Sequence, residues 1–239
     1  MTNPIVVVPA RLGAGRLPGK PLLDIAGEPL IVHVWRRAVE AGIGPVVVAA
    51  ADAEIIAVIE QAGGRAMPTD PGLPTGSDRV AAAVAVIDPG RRHDVVVNLQ
   101  GDLPTIAPTT IATALEGLAD PAVDMATVAG PLAAKAFDDR HVVKVTIDQA
   151  GFALDFNRRR PVGPASRHIG VYAFRRMALE RFATLQRGVR ERDESLEQLR
   201  AMEHGMRIAV RVVGDTAPAV DTADGLQAVR RALLSRRVP

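Results

Sequence analysis

Strand-like and helix-like segments alternate through the first half of this chain, and that alternation predicts an α/β fold whose mainly parallel sheet carries helices on both faces. Three observations carry the expectation. The strand candidates "PIVVVP", "PVVVAA" and "DVVVNLQGD" hold continuous apolar runs, the pattern of strands buried on both faces. Between them lie amphipathic stretches of helical length, several closed by glycine. Almost half of the 239 residues, 48%, are hydrophobic, which supplies the core such a fold needs and excludes a mainly disordered chain.

The elements follow in order. "PIVVVP" opens the chain as a strand and runs into the loop "ARLGAGRLPGK". Pro29 suits the first turn of a helix reaching about Ala41, with Gly42 as its stop. "PVVVAA" is the next strand, "AEIIAVIEQAGG" a helix and "RAMP" a short strand. "TGSDRVAAAVAVI" starts a helix with Thr75 or Ser77 as cap. "DVVVNLQGD" runs straight into a Gly-Asp turn, and "APTTIATALEGL" is a further helix. From about Val123 the texture changes. "DMATVAG", "HVVKVTID", "GFALDFN" and "RHIGVYAFR" are closely spaced strand-like runs, which read as an antiparallel or dimer-forming subregion over roughly residues 123–175 of a single 1–239 domain. "RERDESLEQLRAMEHG" reads as one amphipathic helix, "MRIAVRVVG" as a strand and "TADGLQAVRRALL" as the closing helix.

Composition removes several function classes. With no cysteine there are no disulfides and no thiolate metal sites, as suits a reducing compartment. The N-terminal apolar run is too short for a signal peptide and lacks a basic leader, and no apolar run reaches membrane-spanning length, so a cytoplasmic protein is expected. A formal net charge of +2, with one Trp and one Tyr, offers neither the clustered basic face nor the stacking platforms of a nucleic-acid module. The five histidines are scattered without metal spacing, so none is a candidate metal ligand. Arginine is the default cation here, which singles out the three lysines, Lys20, Lys135 and Lys144.

The loop after the first strand concentrates chemistry. Arg11, Arg16 and Lys20 stand beside Gly13, Gly15 and Gly19. Glycines let backbone N–H groups approach an anion, and the three cations neutralise polyphosphate charge. The loop is not a P-loop, because Ala14 replaces the first glycine and Pro21 follows Lys20. Nor is it a dinucleotide fingerprint, since Pro18 holds the slot of the third glycine. In a parallel sheet, ligands gather at the carboxyl ends of the strands, and the 10–20 and 100–105 loops both open there. Asp102, freed by Gly101 at a strand end, can present a carboxylate to Mg²⁺, although alone it reads more readily as a turn or helix-capping residue. Asp221 precedes a helix beside Thr222, and alone it reads more readily as part of a cap. His168, Gly170 and Tyr172 share one strand face. Glu197 and Gln198 flank core-facing Leu196 and Leu199, and by themselves are an ordinary helix surface.

Together, "PAR…GRLPGKPL", "TGSDR", "NLQGDLP", "RHIGVYAFRR", "SLEQLR" and "VDTADGL" resemble, in identity and order, the 3-deoxy-manno-octulosonate cytidylyltransferases, from Val6 to about Arg231. The resemblance implies a Rossmann-like fold of the nucleotidyltransferase type, CTP and 3-deoxy-D-manno-octulosonate (Kdo) as substrates, Mg²⁺ as cofactor, and a homodimer serving lipopolysaccharide synthesis. It implies Arg11, Arg16, Lys20, Gly76, Ser77, Arg79 and Gln100 at the nucleotide, and Asp102 and Asp221 on the metal, with Lys20 and both aspartates catalytic. Arg158, His168, Tyr172, Glu197 and Gln198 would face the acid sugar. A relative using another acidic sugar or sugar phosphate, and a non-catalytic nucleotide-binding regulator, are the alternatives. The chain departs from the family pattern at Leu103, where many relatives have Glu, at Asn157 in place of Ser, and in a short 159–166 segment.

Overall fold

Seven consecutive buried residues form β1 (Pro4–Ala10), and the rest of the sheet is laid out around it. The computed structural model describes residues 2–13 and 17–235. After β1 a turn of 3-10 helix, Lys20–Leu22, leads into the hairpin of β2 (Asp24–Ile25) and β3 (Glu28–Pro29). Then come α1 (Leu30–Glu40), β4 (Val46–Ala50), α2 (Ala53–Gln61), β5 (Ala66–Pro68), α3 (Gly76–Ile87), β6 (Val95–Leu99) and α4 (Pro108–Glu116). The second half contributes β7 (Met125–Gly130), β8 (Lys144–Ile147), β9 (Ala153–Asn157), β10 (Ser166–Arg175), α5 (Arg176–Thr184), α6 (Val189–Glu194), α7 (Gln198–Glu203), β11 (Ile208–Val212) and α8 (Ala223–Ser235).

Among the described residues, nine strands share one sheet, ordered β11-β7-β10-β6-β1-β4-β5, with β8 and β9 added alongside β10. The pairs β1–β4, β1–β6, β4–β5 and β7–β11 are parallel, as the buried apolar runs predict. The antiparallel part is no peripheral addition. β10 lies in the middle of the sheet, antiparallel to both β6 and β7, and it carries β8 and then β9.

Side-chain alternation splits the core in two. Val6 and Val8 of β1 pack on one face with residues of α1, α2, α4 and α8, while Ile5 and Val7 pack on the other with α3, α5 and α7. No helix among the described residues is long and apolar enough to cross a membrane.

The structure corrects the sequence reading in its C-terminal third. The stretch "RERDESLEQLRAMEHG" is not one helix: α6 ends at Ser195, whose φ of 52° is left-handed, and α7 restarts after Glu197. A non-glycine residue there costs about 1 kcal/mol or more. The break turns Glu197 and Gln198 from a helix flank into the amino end of α7. Pro29 falls one residue before α1, not within its first turn. Helix α5, opening directly off β10 at Arg176, is not anticipated by the sequence reading at all.

One glycine fixes how the central strands enter the sheet. A Cβ on Gly44 would sit 2.2 Å from the Pro4 carbonyl oxygen, at the mouth of the β1–β4 pair. Backbone on both sides leaves nothing to swing away. Gly44→Ala is therefore expected to cost about 2 kcal/mol and to lower Tm by several degrees, checked by calorimetry; an unchanged Tm would show that this pair does not need its observed spacing.

Candidate active site

The loops that leave β1 and β6 open on the same sheet edge, because the two strands are parallel neighbours. Each turns abruptly. Gly19 has φ 67°, a left-handed conformation natural to glycine, and hands the chain to Lys20. After β6, a Cβ on Gly101 would lie 2.9 Å from the Pro9 carbonyl oxygen, so only glycine lets the two loops approach. The Leu12 amide donates to Asp52 Oδ2 at 2.8 Å, pinning the start of the basic loop to the end of β4. Arg16 lies outside the described residues.

At that edge Lys20 draws together two carboxylates from distant segments. Its Nζ stands 3.3 Å from Asp102 Oδ2 and 3.0 Å from Asp221 Oδ1. Burial alone would drive the ammonium down, but the two aspartates outweigh it and hold Lys20 above its ordinary range. Asp102 moves up as well: burial raises it and the like charge of Asp221 adds, against the pull of Lys20. Thr222 caps α8, its Oγ1 accepting from the Gly225 amide at 3.1 Å, and this fixes the backbone beside Asp221. The cap and the acidic cluster are thus adjacent residues, not alternatives.

Among the described residues no group of three or more acidic or histidine side chains could hold a metal ion. The Asp102–Asp221 pair nevertheless fits Mg²⁺, which takes one or two protein carboxylates and completes its shell with phosphate oxygens and water. That two hard carboxylate oxygens already meet one ammonium is the observation that supports the fit.

Two cavities adjoin at this point. The first, about 200 Å³, is lined by Arg11, Lys20, Thr75, Arg79, Gln100 and Asp102. Arg79 is buried; its Nη1 donates to Thr69 Oγ1 and, at 3.1 Å, to the Asp70 carbonyl, while its Nη2 finds no partner among the described residues. Burial, then the nearby Arg11, lower its pKa. A buried guanidinium with a spare donor edge and a like-charged neighbour is a site built for an anionic or acceptor-rich ligand. Gly76 lets the wall close, since a Cβ there would lie 2.8 Å from Gln100 Nε2.

The second cavity, about 150 Å³, shares Gln100 and Asp102 with the first and adds Asp221, Arg158, Arg167 and His168. Lys144, singled out as a rare lysine, is buried and donates to the Asp139 and Arg158 carbonyls at 2.5 and 3.3 Å, fixing the Arg158 backbone. His168 Nε2 lies 2.9 Å from Thr127 Oγ1. That hydroxyl donates to the Val171 carbonyl at 2.8 Å, so Nε2 carries the ring proton and Nδ1 keeps its lone pair. Burial, and then Arg158, push His168 down to about 3, leaving a neutral ring at physiological pH.

The remaining candidates lie together but elsewhere. Glu197 accepts from the Ser77 amide at 2.8 Å and from Gln100 Nε2 at 2.9 Å, and burial lifts its pKa. Ser77 Oγ in turn accepts from Asn98 Nδ2 at 3.0 Å. Tyr172 Oη donates to Gln198 Oε1 at 3.2 Å in the buried layer. Its ring stacks at 5.4 Å from His168, so the shared strand face is as the alternation predicts. Tyr172, Glu197 and Gln198 contribute no wall to the second cavity; they brace its neighbours. Sequence reasoning missed Arg167, Asp52 and Asn98. Asp52 was open to discovery, since it closely follows a strand as Asp102 does, whereas Arg167 and Asn98 gain meaning only from the strand pairing. Leu103 is buried in the core, and Asn157 holds the short following loop, accepting from the Arg159 amide at 3.0 Å.

Known proteins resemble this chain along nearly its whole length. A family model described as cytidylyltransferase matches residues 5–208. The 3-deoxy-manno-octulosonate cytidylyltransferase of Methylorubrum populi is 53% identical over 246 residues, spanning all of both chains. That of Paramagnetospirillum magneticum is 49% identical over 97% of this chain and 98% of its own. Among solved structures, CMP:2-keto-3-deoxy-manno-octonic acid synthetase complexed with CTP superposes with a TM-score of 0.89 at 36% identity, covering 98% of this chain and all of the other. A cytidylyltransferase from Leptospira borgpetersenii, at 14% identity and a TM-score of 0.66, shares the fold. The chain belongs to the cytidylyltransferase family, within the group of 3-deoxy-manno-octulosonate cytidylyltransferases.

Proposed function

We propose that this protein transfers cytidylate from CTP to Kdo, giving CMP-Kdo and pyrophosphate, in the cytoplasm and for lipopolysaccharide synthesis. The observation that carries the reading is the pair of cavities meeting at Gln100 and Asp102, one lined by Arg11, Lys20 and Arg79, the other by Arg158, Arg167 and His168. Both substrates are anions, so the reaction requires their repulsion to be cancelled and their atoms held in line. The anomeric hydroxyl oxygen of Kdo forms the new bond to the α-phosphorus and releases its proton to solvent as the α–β phosphoanhydride bond breaks and pyrophosphate leaves. Arg11 and Lys20 neutralise the triphosphate and then the departing pyrophosphate. Gln100, held by Glu197, keeps the two cavities in register. Arg158 and Arg167 take the acceptor's carboxylate, and the neutral His168 offers Nδ1 as an acceptor for a sugar hydroxyl. Asp102 and Asp221 would hold Mg²⁺, which when bound polarises a phosphoryl oxygen as a Lewis acid.

We also propose that the active form is a homodimer. Leu154 of β9 and Val162 of the short loop are exposed, at 58% and 108%, on the antiparallel side of the sheet, and such apolar exposure supports a second copy seated there. Sedimentation is expected to give twice the mass of one chain; a monomer at micromolar concentration would dispose of the idea.

The direct test is pyrophosphate release from purified protein. Turnover is expected only with CTP, Kdo and Mg²⁺ together, whereas turnover with a different acidic acceptor would keep the mechanism and move the pathway. Asp102→Asn and Asp221→Asn are each expected to lose several kcal/mol of transition-state stabilisation, about a thousandfold in rate. Lys20→Ala should raise the KM for CTP more than that for Kdo. Near-normal rates in both aspartate variants would end the metal assignment.

The neutral His168 sets a pH dependence of stability. In the folded chain it titrates at about 3, and in the unfolded chain near 6.5. Between those values the unfolded chain binds the extra proton, so this contribution is complete above pH 6.5 and is lost as pH falls toward 3. Between pH 7 and 5 the loss is about 2 kcal/mol. His168→Gln should flatten the dependence of Tm on pH in that range; parallel curves for the two proteins would refute the neutral ring.

A further inference from the structure

The motif "SLEQLR" ends in Arg200, whose side chain is only 2% exposed. It lies among four short hydrogen bonds to two carboxylates. Nη1 and Nη2 reach Asp78 Oδ1 and Oδ2 at 2.7 and 3.0 Å, and Nε and Nη2 reach Glu191 Oε2 and Oε1 at 2.9 and 2.7 Å. The guanidinium also stacks 4.3 Å over the Phe182 ring. The carboxylates hold Arg200 protonated well above its ordinary range, despite burial. Bidentate pairs of this kind fix geometry as well as charge.

What Arg200 joins matters more than the knot itself. Asp78 lies between Ser77 and Arg79 in the first turn of α3, and Thr75 bonds to it both as helix cap, at 3.2 Å, and as hydroxyl donor, at 2.7 Å. Three residues before Arg200, Glu197 grips the Ser77 amide and Gln100. The amino ends of α3 and α7 are therefore tied at two levels: a buried ionic knot away from the two cavities, and a carboxylate bridge next to them. One end lines the first cavity through Thr75, Gly76 and Arg79; the other holds Gln100, which lines both cavities. Glu191, on the other side of the left-handed Ser195 break, is the second anchor.

We propose that Arg200 is a positioning residue for the transfer, acting through Asp78 and Glu197 to hold the nucleotide-side and acceptor-side walls at a fixed separation. The role rests on the cytidylyl-transfer reading above. A bare fold knot would look similar in stability measurements, and the molecule contains the control. At the far end of the same helix, about 18 Å along a 12-residue α3, the C-cap Asp88 forms a second buried pair with Arg176 at 3.2 Å, and neither residue lines the two cavities.

The experiment compares Arg200→Lys with Arg176→Lys, measuring Tm, and then kcat, both KM values and the calorimetric Kd for CTP well below either midpoint. Both variants are expected to lose comparable stability. Arg200→Lys should in addition lose about tenfold to a hundredfold in kcat/KM for both substrates and bind CTP more weakly. Arg176→Lys should stay within about twofold of the parent. Should Arg200→Lys not fold, Glu191→Gln leaves the Arg200–Asp78 pair standing and is expected to show the same pattern at smaller size. Combining either variant with Glu197→Gln should give losses smaller than the sum of the two, since both act through one bridge. Kinetic and CTP-binding losses no larger than those of Arg176→Lys at matched stability, or fully additive losses with Glu197→Gln, would overturn the proposal. Absence of turnover in the parent protein would sink the cytidylyl-transfer reading, and the comparison of CTP Kd values would still decide the role of Arg200.

Discussion

The ammonium of Lys20 is the contact on which the site depends, because it closes three segments that the sequence keeps far apart. Asp102 stands 82 positions downstream and Asp221 stands 201. Two carboxylates brought to one sheet edge repel each other unless a cation shares the space, and in a partly buried setting that repulsion is poorly screened. Lysine suits the place better than arginine. A compact ammonium on a flexible stem can sit between two single oxygens, whereas a planar guanidinium holds its partners in fixed bidentate directions, as Arg200 does with Asp78 and Glu191. In a chain that otherwise uses arginine for nearly all its positive charge, that choice is chemical.

Around this contact the structure separates charge by depth. Partly buried cations and carboxylates face the cavities, neutral hydrogen-bonding groups such as Gln100 and His168 sit between them, and fully paired ions such as Arg200 lie behind. The ordering follows from desolvation: an ion whose bonds are all met by protein recovers much of its burial cost, while one that must bind a ligand has to keep part of its valence open. Arg79, buried yet with Nη2 unpartnered among the described residues, marks the boundary between the two kinds.

How much of this could be read from the chain depended on whether the signal was local. The buried strands β1, β4 and β6 announce themselves by uninterrupted valines, and the caps of α3 and α8 by Thr75 and Thr222, because both effects act over a few residues. The resemblance of "NLQGDLP" and "VDTADGL" to one family raised Asp102 and Asp221 above their capping alternatives. The break at Ser195 was not legible, since "RERDESLEQLR" has a continuous helical pattern and the left-handed residue is held there by tertiary contacts of Glu191 and Glu197. Helix α5 was hidden within the continuation of a strand motif. Arg167 and Asn98 acquire roles only through the pairing of β10 with its neighbours, which no local pattern encodes.

The reversed direction of β10 has a consequence for how such a protein can diversify. In a purely parallel sheet every ligand-facing residue would come from a strand's end and the loop after it. Because β10 runs antiparallel to β6, it is the start of β10, with Arg167 and His168, that reaches the ligand edge, and the segment leading into it is the short 159–166 stretch. The wall of the second cavity is thus reached through the connection from β9 into β10, two strands that both run antiparallel to β8. It is separate from the β1 and β6 loops that line the first. Lengthening or trimming that connection would reset Arg158 and Arg167, which flank it and line the second cavity, while the β1 and β6 loops keep their frame. The fold keeps one donor half constant and leaves the other open to retailoring, an asymmetry of evolvability set by the direction of a single strand.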